Sequence, residues 1–566
     1  MSDRQPPGDE ASAIEADYVV VGAGSAGCVL AARLSEDTGT QVVLLEAGGG
    51  DWDPLIRIPM GWGMLYTKKL HDWRFGTEPE ANLQGRIVEF ARGKVVGGCS
   101  SINAMAYVRG HRDDYDRWRQ LGLDGWSFED VLPYFRKQET WEGGGDAYRG
   151  GDGPLRTRFS RYRDPLIEAT IAAGVDAGHR FNADYNGAEQ EGIARIQSTI
   201  DRGRRCSAAA AYLRPALGRR NLALLTHSRA TRILMDGTTA TGVEFQRRGR
   251  RRVARARKEV IVSAGVALSP HLLMLSGIGE AAELRRFGIA PRIDLPRVGK
   301  GLRDHISPVL LFRRKSPGPF HAALRYDKAG LRMLQAAAFG TGIASDVPCG
   351  FVAFLRSPRA QSAVPDVQVL LNAAPLAAKP YLHRAFGSFE DGFGLRVVLL
   401  RPDSAGTISL ASADPFQQPR IHQNFLQHEH EWRVLREGIR MTRAIANQPA
   451  LRDFMGSETV PGPGCSDRDD DLDRFIRERA LTTHHPLGTC AMGADGRDAV
   501  VDSRLRVFGA ERLRVVDASV VPSMIGGNIN AGVMMIAEKA ADLIRNRTAP
   551  ALAAPPVAPG AAAPPH

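Results

Sequence analysis

Two adjacent histidines near the C-terminus are the residues best suited to acid–base chemistry. They are His484 and His485, in the stretch "LTTHHPLGTCAMG" at residues 481–493. Imidazole has an ordinary pKa of about 6.5, so a histidine can move a proton at neutral pH. A metal site is disfavoured, because adjacent side chains rarely chelate one ion and no cluster of further ligands follows. A catalytic base and a buried core histidine remain as alternatives.

A glycine-rich motif near the N-terminus predicts a dinucleotide site. Residues 17–49 begin with an apolar run, continue with Gly22, Gly24 and Gly27 in G-x-G-x-x-G spacing, and then show helical periodicity. A second apolar run ends at Glu46. In such a βαβ unit the helix N-terminus binds a pyrophosphate and the acid binds a ribose hydroxyl. The motif alone does not distinguish FAD from NAD.

Two later segments also suit a flat or charged ligand. Gly97 and Gly98 precede small polar residues and Asn103, so backbone amides there can approach a ligand closely. Near the C-terminus, apolar residues recur at helical spacing, which predicts a helix that starts near Asn530. Two asparagines, Asn528 and Asn530, stand at its start, where the helix dipole is positive.

The bulk composition is that of a globular protein, with 566 residues, 43% hydrophobic and 24% charged. The formal net charge is +11, and much of the excess lies in "QRRGRRRVARARK" at 246–258. We interpret this stretch as a solvated hairpin between "TGVEF" and "EVIVSAG". A nucleic-acid site is disfavoured, because aromatic residues for base stacking are missing there.

Location is predicted from the termini and the cysteines. No apolar run is long enough to span a bilayer, and the N-terminus lacks the features of a secretory signal. Residues 1–16 and the Pro/Ala-rich residues 547–566 are predicted to be flexible tails. The six cysteines show neither zinc-ligand spacing nor a disulfide framework, which favours the reducing cytoplasm.

Several blocks together resemble the glucose–methanol–choline (GMC) oxidoreductases, which are FAD-dependent alcohol dehydrogenases and oxidases. They are the N-terminal unit and the segments "GKVVGGCSSINAMAYVRG", "SPHLLMLSGIG", "VGKGLRDH", "HPLGTCAMG" and "LRVVDASVVPSMIGGNINAGVMMIAEKAADLI". The blocks arrive in the family's order and extend from residue 17 to 546. The stretch "KKLHDWRFGTEPEANLQGR" is most similar to the bacterial branch of choline dehydrogenase and aliphatic alcohol dehydrogenase relatives.

The resemblance implies an α/β fold (α+β overall) with two interleaved domains. A Rossmann-type FAD-binding domain takes residues 17–155, 222–310 and 466–546. A substrate-binding domain built on an antiparallel sheet takes residues 156–221 and 311–465. Short β-rich runs at 397–415 and a helical apolar stripe at 428–448 agree with this division.

The resemblance also assigns roles to residues. His485, which begins the His-Pro-x-Gly-Thr pattern, is the expected base, and Asn530 is its expected partner at the substrate oxygen. His484 is expected to line the flavin pocket, and a share in the acid–base work is the alternative. Ile102 stands where some members carry a flavin-linking histidine, so FAD is expected to be non-covalent. The remaining expected FAD contacts are Gly22, Gly24, Ser25, Ala26, Gly27, Glu46, Ala47, Val95, Gly98, Asn103, Ala104, Met105, Ala106, Ala230, Asp517, Ala518 and Ala531, together with Asn530.

The expected reaction is oxidation of a primary alcohol to an aldehyde. The small-molecule alcohol is expected to be aliphatic or aromatic rather than choline, because no group of carboxylates and aromatics for a trimethylammonium ion is evident. Hydride passes to flavin N5, and a quinone or other acceptor is favoured over O₂. Peripheral contact with the inner membrane face fits a quinone user and the positive charge. The sequence does not indicate the oligomeric state.

Two alternatives are an alcohol oxidase that uses O₂ and a flavin-containing relative without redox chemistry. The second class includes hydroxynitrile lyases and light-driven fatty acid decarboxylases. A decarboxylase needs a cysteine and an arginine beside the flavin. Cys349 falls a few residues from the cysteine position and Leu370 falls near the arginine position. Both observations disfavour a decarboxylase.

Overall fold

The computed structural model describes residues 13–375, 378–382, 387 and 389–550. Residues 1–12 and 551–566, which form most of the two predicted tails, lie outside the described residues. The tail prediction for residues 14–16 is wrong. These residues open the first strand, where Ile14 pairs with Ala254, Glu15 with Arg255 and Ala16 with Ala256.

The described chain contains both helices and strands throughout. The helices are α1 Ser25–Leu34, α2 Pro54–Arg57, α3 Trp62–Thr67, α4 Arg112–Gln120, α5 Phe128–Gln138, α6 Pro165–Asp176, α7 Arg214–Ala216, α8 Gly265–Leu275, α9 Ala281–Arg286, α10 Pro319–Ala323, α11 Tyr326–Phe339, α12 Glu429–Ala446, α13 Asp469–Arg479 and α14 Asn530–Ile544. The strands are β1 Ile14–Val21, β2 Val42–Leu45, β3 Phe75–Gly76, β4 Glu89–Phe90, β5 Glu139–Trp141, β6 Leu155–Phe159, β7 Gly192–Arg195, β8 Gln197–Ser198, β9 Ile200–Asp201, β10 Arg204–Arg205, β11 Leu222–Leu225, β12 Ser228–Asp236, β13 Thr239–Arg247, β14 Arg250–Val262, β15 Ile278–Gly279, β16 Ile293–Asp294, β17 Lys300–Leu302, β18 Ile306–Ser307, β19 Val309–Arg314, β20 Phe351–Leu355, β21 Val367–Asn372, β22 Gly392–Leu399, β23 Gly406–Ser409, β24 Arg420–His422, β25 Met455–Val460, β26 Leu481–Thr482 and β27 Leu513–Val515.

A seven-stranded sheet carries the predicted dinucleotide motif. Its order is β11-β2-β1-β14-β13-β12, and β27 also pairs with β14. The contacts of β1 with β2 and β14, of β2 with β11, and of β14 with β27 are parallel, whereas β12, β13 and β14 form an antiparallel meander. The parallel strands β1 and β2 are almost completely buried, as an apolar run in such a sheet requires.

The glycines of this motif allow α1 to start against the sheet. Gly22 has φ +98°, and a Cβ there would lie 2.4 Å from the Ser263 carbonyl oxygen. A Cβ on Gly27 would lie only 1.8 Å from the Gly22 carbonyl oxygen, so only glycine lets the helix approach this closely. The βαβ unit predicted from the sequence is therefore present.

The arginine-rich stretch forms the predicted hairpin, but with a shorter turn and longer strands than expected. Its turn consists only of Arg248 and Gly249, and the following residues form the first half of β14. Ala254 and Ala256 are buried there, whereas Arg255 and Arg257 are exposed. The alternation is the two-residue period of a strand, so the positive charge extends from the exposed hairpin tip along a sheet face.

A six-stranded antiparallel sheet has the order β25-β19-β22-β21-β20-β7. On one side of it, apolar residues such as Leu395 and Val397 join a core that includes Leu435 and Ile439 of α12. The segments predicted for the FAD domain supply the seven-stranded sheet, and this second sheet comes almost wholly from the other segments. We retain the two-domain division as a proposal, with β19 starting slightly inside the predicted FAD segment.

Among the described residues, no helix combines the length and the hydrophobicity needed to cross a bilayer. The cytoplasmic location and the contact with a membrane surface remain predictions.

Candidate active site

A cavity of about 420 Å³ lies between the two large sheets. Gly22, Gly24 and Ser25 line one part of it, and His484 and His485 line another. Strands β19, β21 and β22 of the six-stranded sheet contribute further wall residues. The cavity therefore connects the predicted nucleotide loop to the predicted base.

The nucleotide end has the features that a pyrophosphate requires. No side chain caps the N-terminus of α1 at Gly24, so its first amide groups are free to bind an anion. The Cβ of a residue at position 24 would meet its nearest atom only at 4.0 Å, which leaves the backbone open to a ligand. Gly98 has φ +53° and packs directly against Gly24. A Cβ at position 98 would lie only 2.7 Å from the Gly24 Cα, so a larger residue does not fit there. Both glycine regions thus meet at one place.

Most of the expected FAD contacts line this cavity. Gly27, Val95 and Ala531 do not: Gly27 packs helix against strand, Val95 joins a small apolar cluster, and Ala531 is buried inside α14. Their expected contact with FAD has no support in the cavity lining. The residues that do line it are Gly22, Gly24, Ser25, Ala26, Glu46, Ala47, Gly98, Asn103, Ala104, Met105, Ala106, Ala230, His484, Asp517, Ala518 and Asn530.

Glu46 is buried at the end of β2 and lines the cavity. Its carboxylate accepts hydrogen bonds from the backbone N–H groups of Ala23 at 2.9 Å and Gly48 at 2.7 Å. Burial raises its pKa to about 7, although both backbone hydrogen bonds lower it. These two bonds hold the carboxylate next to the glycine loop, where a ribose hydroxyl would need it.

The second glycine region is held by an arginine that the sequence did not single out. Arg205 is buried, and its guanidinium donates to the Asn103 backbone and side-chain oxygens at 2.5 and 2.8 Å. Asn103 Oδ1 also accepts from the Met105 N–H at 3.0 Å. Arg205 thereby fixes the loop that faces the cavity. Its β10 position, more than a hundred residues from the loop, left no local signal for this contact.

His485 is surrounded by side chains that fix its orientation. Its Nε2 lies 3.0 Å from Asn528 Nδ2, and its Nδ1 lies 3.1 Å from His305 Nδ1 and 3.0 Å from Thr483 Oγ1. Its backbone N–H donates to Asp304 Oδ1 at 2.8 Å. The short ladder between β18 and β26 brings these two chain segments together.

The partners of His305 determine which nitrogen of His485 carries the proton. His305 Nε2 lies 3.1 Å from the Leu400 carbonyl oxygen, which can only accept, so this nitrogen is protonated. Burial lowers the pKa of His305 to about 3, so it is neutral and its Nδ1 is an acceptor. His485 must then donate from Nδ1, and a neutral His485 has its lone pair at Nε2.

Burial is also the largest cause that lowers the pKa of His485 well below its ordinary value. The neighbouring His305, His484, Arg92 and Arg396 lower it further. His485 is therefore neutral at physiological pH. A neutral imidazole with its lone pair at Nε2, where Asn528 Nδ2 now donates, is able to accept a proton from a ligand hydroxyl that takes the place of this contact.

The structure corrects the expected partner of His485. Asn528, not Asn530, contacts the imidazole, and Gln368 Nε2 donates to Asn528 Oδ1 at 3.4 Å. Asn530 is the first residue of α14, and its Oδ1 accepts from Ser25 Oγ at 2.7 Å in the nucleotide loop. The chain enters the helix between these two positions, and their side chains reach different ends of the cavity. We assign the partner role to Asn528.

His484 does not share the surroundings of His485. Its φ of +63° turns the backbone between the two histidines. Its Nε2 lies 3.4 Å from Glu89 Oε1, and its ring meets the Tyr66 ring edge-on at 5.8 Å. Hydrogen bonding to His484 is the main cause that lowers the pKa of Glu89. His484 lines the cavity, as expected, and nothing in this geometry couples it to Asn528.

The cavity also contains a cysteine and an arginine. Cys349 lines it, and burial raises the pKa of this thiol to about 12. Arg396 of β22 lines it too and is paired across the sheet with Leu370 of β21. The sequence comparison placed Leu370 near the arginine position of a decarboxylase, but the neighbouring strand provides an arginine that the sequence analysis missed. A cross-strand pair of this kind has no local sequence signal.

These features are those of a dinucleotide-binding α/β protein with a half-buried histidine in the same cavity. Residues 16–307 and 402–537 match the N- and C-terminal parts of the GMC oxidoreductases. The chain belongs to the GMC oxidoreductase family. It is therefore an FAD-dependent enzyme of the fold class that the sequence predicted.

Curated relatives match over nearly their full length. The chain is 42% identical to the oxygen-dependent choline dehydrogenase of Rhizobium johnstonii over 532 residues, which cover 94% of this chain and 96% of the relative. The protein of the same name from Rhizobium meliloti is also 42% identical, over 535 residues with the same coverage.

Solved structures share the fold. Pyridoxine 4-oxidase from Mesorbium loti is 32% identical with a TM-score of 0.83, covering 94% of this chain and 100% of that one. A formate oxidase of Aspergillus oryzae RIB40 is 28% identical with a TM-score of 0.86, covering 95% and 99%. The relatives thus bear the names of three different substrates.

Proposed function

We propose that the protein oxidises a primary alcohol to an aldehyde with His485 as the catalytic base. The observation that carries this proposal is the fixed, neutral imidazole with its Nε2 lone pair facing Asn528 inside the FAD cavity. FAD, when bound, supplies the acceptor for the hydride that leaves the alcohol carbon.

His485 accepts the proton, and the residues around it fix the imidazole tautomer and orient the Asn528 amide. A substrate hydroxyl that replaces the direct hydrogen bond between Asn528 Nδ2 and His485 Nε2 would give its proton to the imidazole and accept a hydrogen bond from the amide. His305 holds the imidazole in the tautomer with Nε2 unprotonated. Gln368 holds the Asn528 amide so that Nδ2 faces the site. Loss of the proton at the histidine prevents charge from accumulating on oxygen as hydride departs.

Anaerobic mixing of the FAD-loaded enzyme with a panel of primary alcohols tests the proposal. Bleaching of the yellow flavin without O₂, with equimolar aldehyde formed, is the expected result. If every alcohol in the panel leaves the flavin oxidised, while dithionite reduces it normally, the proposed oxidation is wrong.

The electron acceptor is a separate part of the proposal. We favour a quinone or another carrier over O₂, on the resemblance to the bacterial dehydrogenase branch. The relatives named oxygen-dependent choline dehydrogenases support the opposite choice, an oxidase. Turnover measured with a soluble quinone analogue and with an oxygen electrode distinguishes them, because an oxidase consumes one O₂ for each aldehyde without the quinone.

A non-redox function is the second candidate, and one observation favours it. Cys349 and Arg396 line the same cavity, and these are the two residue types that a light-driven decarboxylase of this family needs. Illumination of the enzyme with a fatty acid would then release CO₂. Bleaching by alcohol in the dark supports the alcohol oxidation instead.

A further inference from the structure

Arg396 lies in the wall of the cavity that contains His485. It is near the middle of β22, directly opposite Val309 on β19 and Leu370 on β21. All three residues line the cavity, and the two neighbours are apolar. The positive charge of Arg396 is one cause of the low pKa of His485, so both groups share one electrostatic environment.

The guanidinium of Arg396 has few partners within the protein. Among the described residues its side chain makes one hydrogen bond, from Nη1 to Ser307 Oγ at 2.9 Å, and no carboxylate lies within 4.0 Å. By contrast, Arg314, on the strand next to it, pairs with Asp164 at 2.7 Å. Glu89 is close enough to influence the pKa of Arg396, but it is bound by Tyr66 and His484.

Such an arrangement is unfavourable unless a ligand completes it. Burial lowers the pKa of Arg396, yet a guanidinium keeps its proton in proteins. Arg396 is half-buried, so its charge is partly removed from water with no opposite charge beside it, which is unfavourable. An anion on a ligand in this cavity would compensate it.

The other arginines of the cavity already have partners. Arg92 donates to the His484 carbonyl oxygen at 2.8 Å, and Arg229 donates to the Pro415 carbonyl oxygen at 2.5 Å. The Arg229 guanidinium also lies over the rings of Trp73 and Phe416, at 5.1 and 5.0 Å from their centroids. Arg396 keeps Nε and Nη2 as donors for a ligand. Its planar fork matches the two oxygens of a carboxylate, and one cation balances one monoanion.

We propose that the alcohol substrate carries a carboxylate, which Arg396 binds while the hydroxyl lies at His485 and Asn528. This inference rests on the proposed alcohol oxidation and narrows its substrate to hydroxy acids. The apolar neighbours Val309 and Leu370 contact the spacer between the two polar ends. The same guanidinium repels a quaternary ammonium, so the substrate differs from choline.

Paired substrates test this proposal on the FAD-loaded enzyme. Para-(hydroxymethyl)benzoate and para-methylbenzyl alcohol have the same size and differ in one charge. Wild-type kcat/KM is expected to favour the carboxylate by about tenfold to a hundredfold, the range for a charge-assisted hydrogen bond. Arg396→Met should abolish this preference, and Arg396→Lys should retain only part of it.

Arg313→Met is the matched control, because Arg313 lies on β19 but is 52% exposed and paired with Glu390 outside the cavity. It should leave the preference unchanged. Equal kcat/KM for the two alcohols in the wild type, or the same preference in Arg396→Met, would overturn the proposal.

A binding measurement keeps this test independent of turnover. Benzoate should raise the melting temperature of the oxidised holoenzyme and perturb the flavin absorption, whereas benzamide should do neither, and Arg396→Met should remove the benzoate effect. Benzoate without effect on the wild type contradicts the carboxylate site. If benzoate binds through Arg396 but no alcohol reduces the flavin, the carboxylate site stands and the alcohol oxidation fails.

Discussion

At the residue scale, the environment of His485 decides its chemistry. Two adjacent histidines are equivalent in sequence, but only one has an amide at Nε2 and a neutral histidine at Nδ1. His484 faces Glu89 and Tyr66 instead. In the family pattern His-Pro-x-Gly-Thr the base stands directly before the proline, which predicts His485. The same resemblance pointed to Asn530, whereas Asn528 contacts the imidazole. The two asparagines stand only two residues apart at the start of α14, and sequence does not show which side chain turns toward the base.

The low pKa of His485 predicts a flat pH profile. The base form is present above the lowered pKa and is lost only as pH falls through it. Flavin reduction by a saturating neutral alcohol should therefore stay constant between about pH 6 and 8, unlike that of an ordinary histidine. Anaerobic stopped-flow absorbance measures it. A rate that halves near the ordinary imidazole pKa of about 6.5 would show that His485 is not held neutral.

The two asparagines should give different defects. Asn528→Ala removes the donor to the substrate oxygen and is expected to slow flavin reduction by about a hundredfold to a thousandfold with normal FAD content. Asn530→Ala removes the contact to Ser25 and should lower FAD affinity more than the rate of the loaded enzyme. FAD content and stopped-flow reduction rates distinguish the two variants. A reversed pattern would restore the original assignment of Asn530.

At the scale of elements, the sequence predicts the features that arise within one segment of the chain and not those that depend on distant contacts. The βαβ unit, α12 and α14 were predictable, because their signals are glycine spacing and helical periodicity within one segment. The length of β14 was not predictable in this way, because a run of arginines resembles a solvated loop. Only the alanines at every second position indicate a strand with one buried face. Arg396 and Arg205 were missed, since their roles arise from strand pairing and from contacts distant in sequence.

Gly27 should be essential for the fit of α1 on β1. Gly27→Ala places a methyl group 1.8 Å from the Gly22 carbonyl oxygen and is expected to lower stability by about 1–3 kcal/mol and weaken FAD binding. Thermal unfolding and bound-flavin absorbance measure both effects. Gly330→Ala in α11 is the control, because no atom lies within 4 Å of the added Cβ and alanine favours helix. Equal melting temperatures for both variants would contradict this packing argument.

At the scale of the whole molecule, the active site exists only where the two sheets face each other. The seven-stranded sheet contributes the nucleotide loops, the six-stranded sheet contributes Arg396 and Leu370, and the segments around His305 and His485 lie between them. This arrangement separates the cofactor end of the cavity from the wall that carries Arg396. The proposed preference for hydroxy acids depends on Arg396 in that wall.

FAD should act as a reversible stabiliser of the whole fold. Its expected contacts come from distant segments of the chain, so the bound cofactor favours the native state by mass action. Removal of FAD should lower the melting temperature, and added FAD should restore it in a concentration-dependent manner. Acid precipitation should leave the flavin in the supernatant, since Ile102 offers no covalent attachment. Flavin retained in the protein pellet would contradict non-covalent binding.

The most direct test of the account is anaerobic flavin reduction by alcohol in His485→Ala, with His484→Ala as the matched control. We predict that His485→Ala binds FAD normally, loses about a hundredfold to ten-thousandfold in reduction rate, and recovers part of it when imidazole is added. His484→Ala should lose much less and show no rescue. Reduction at the wild-type rate in His485→Ala would contradict the central claim.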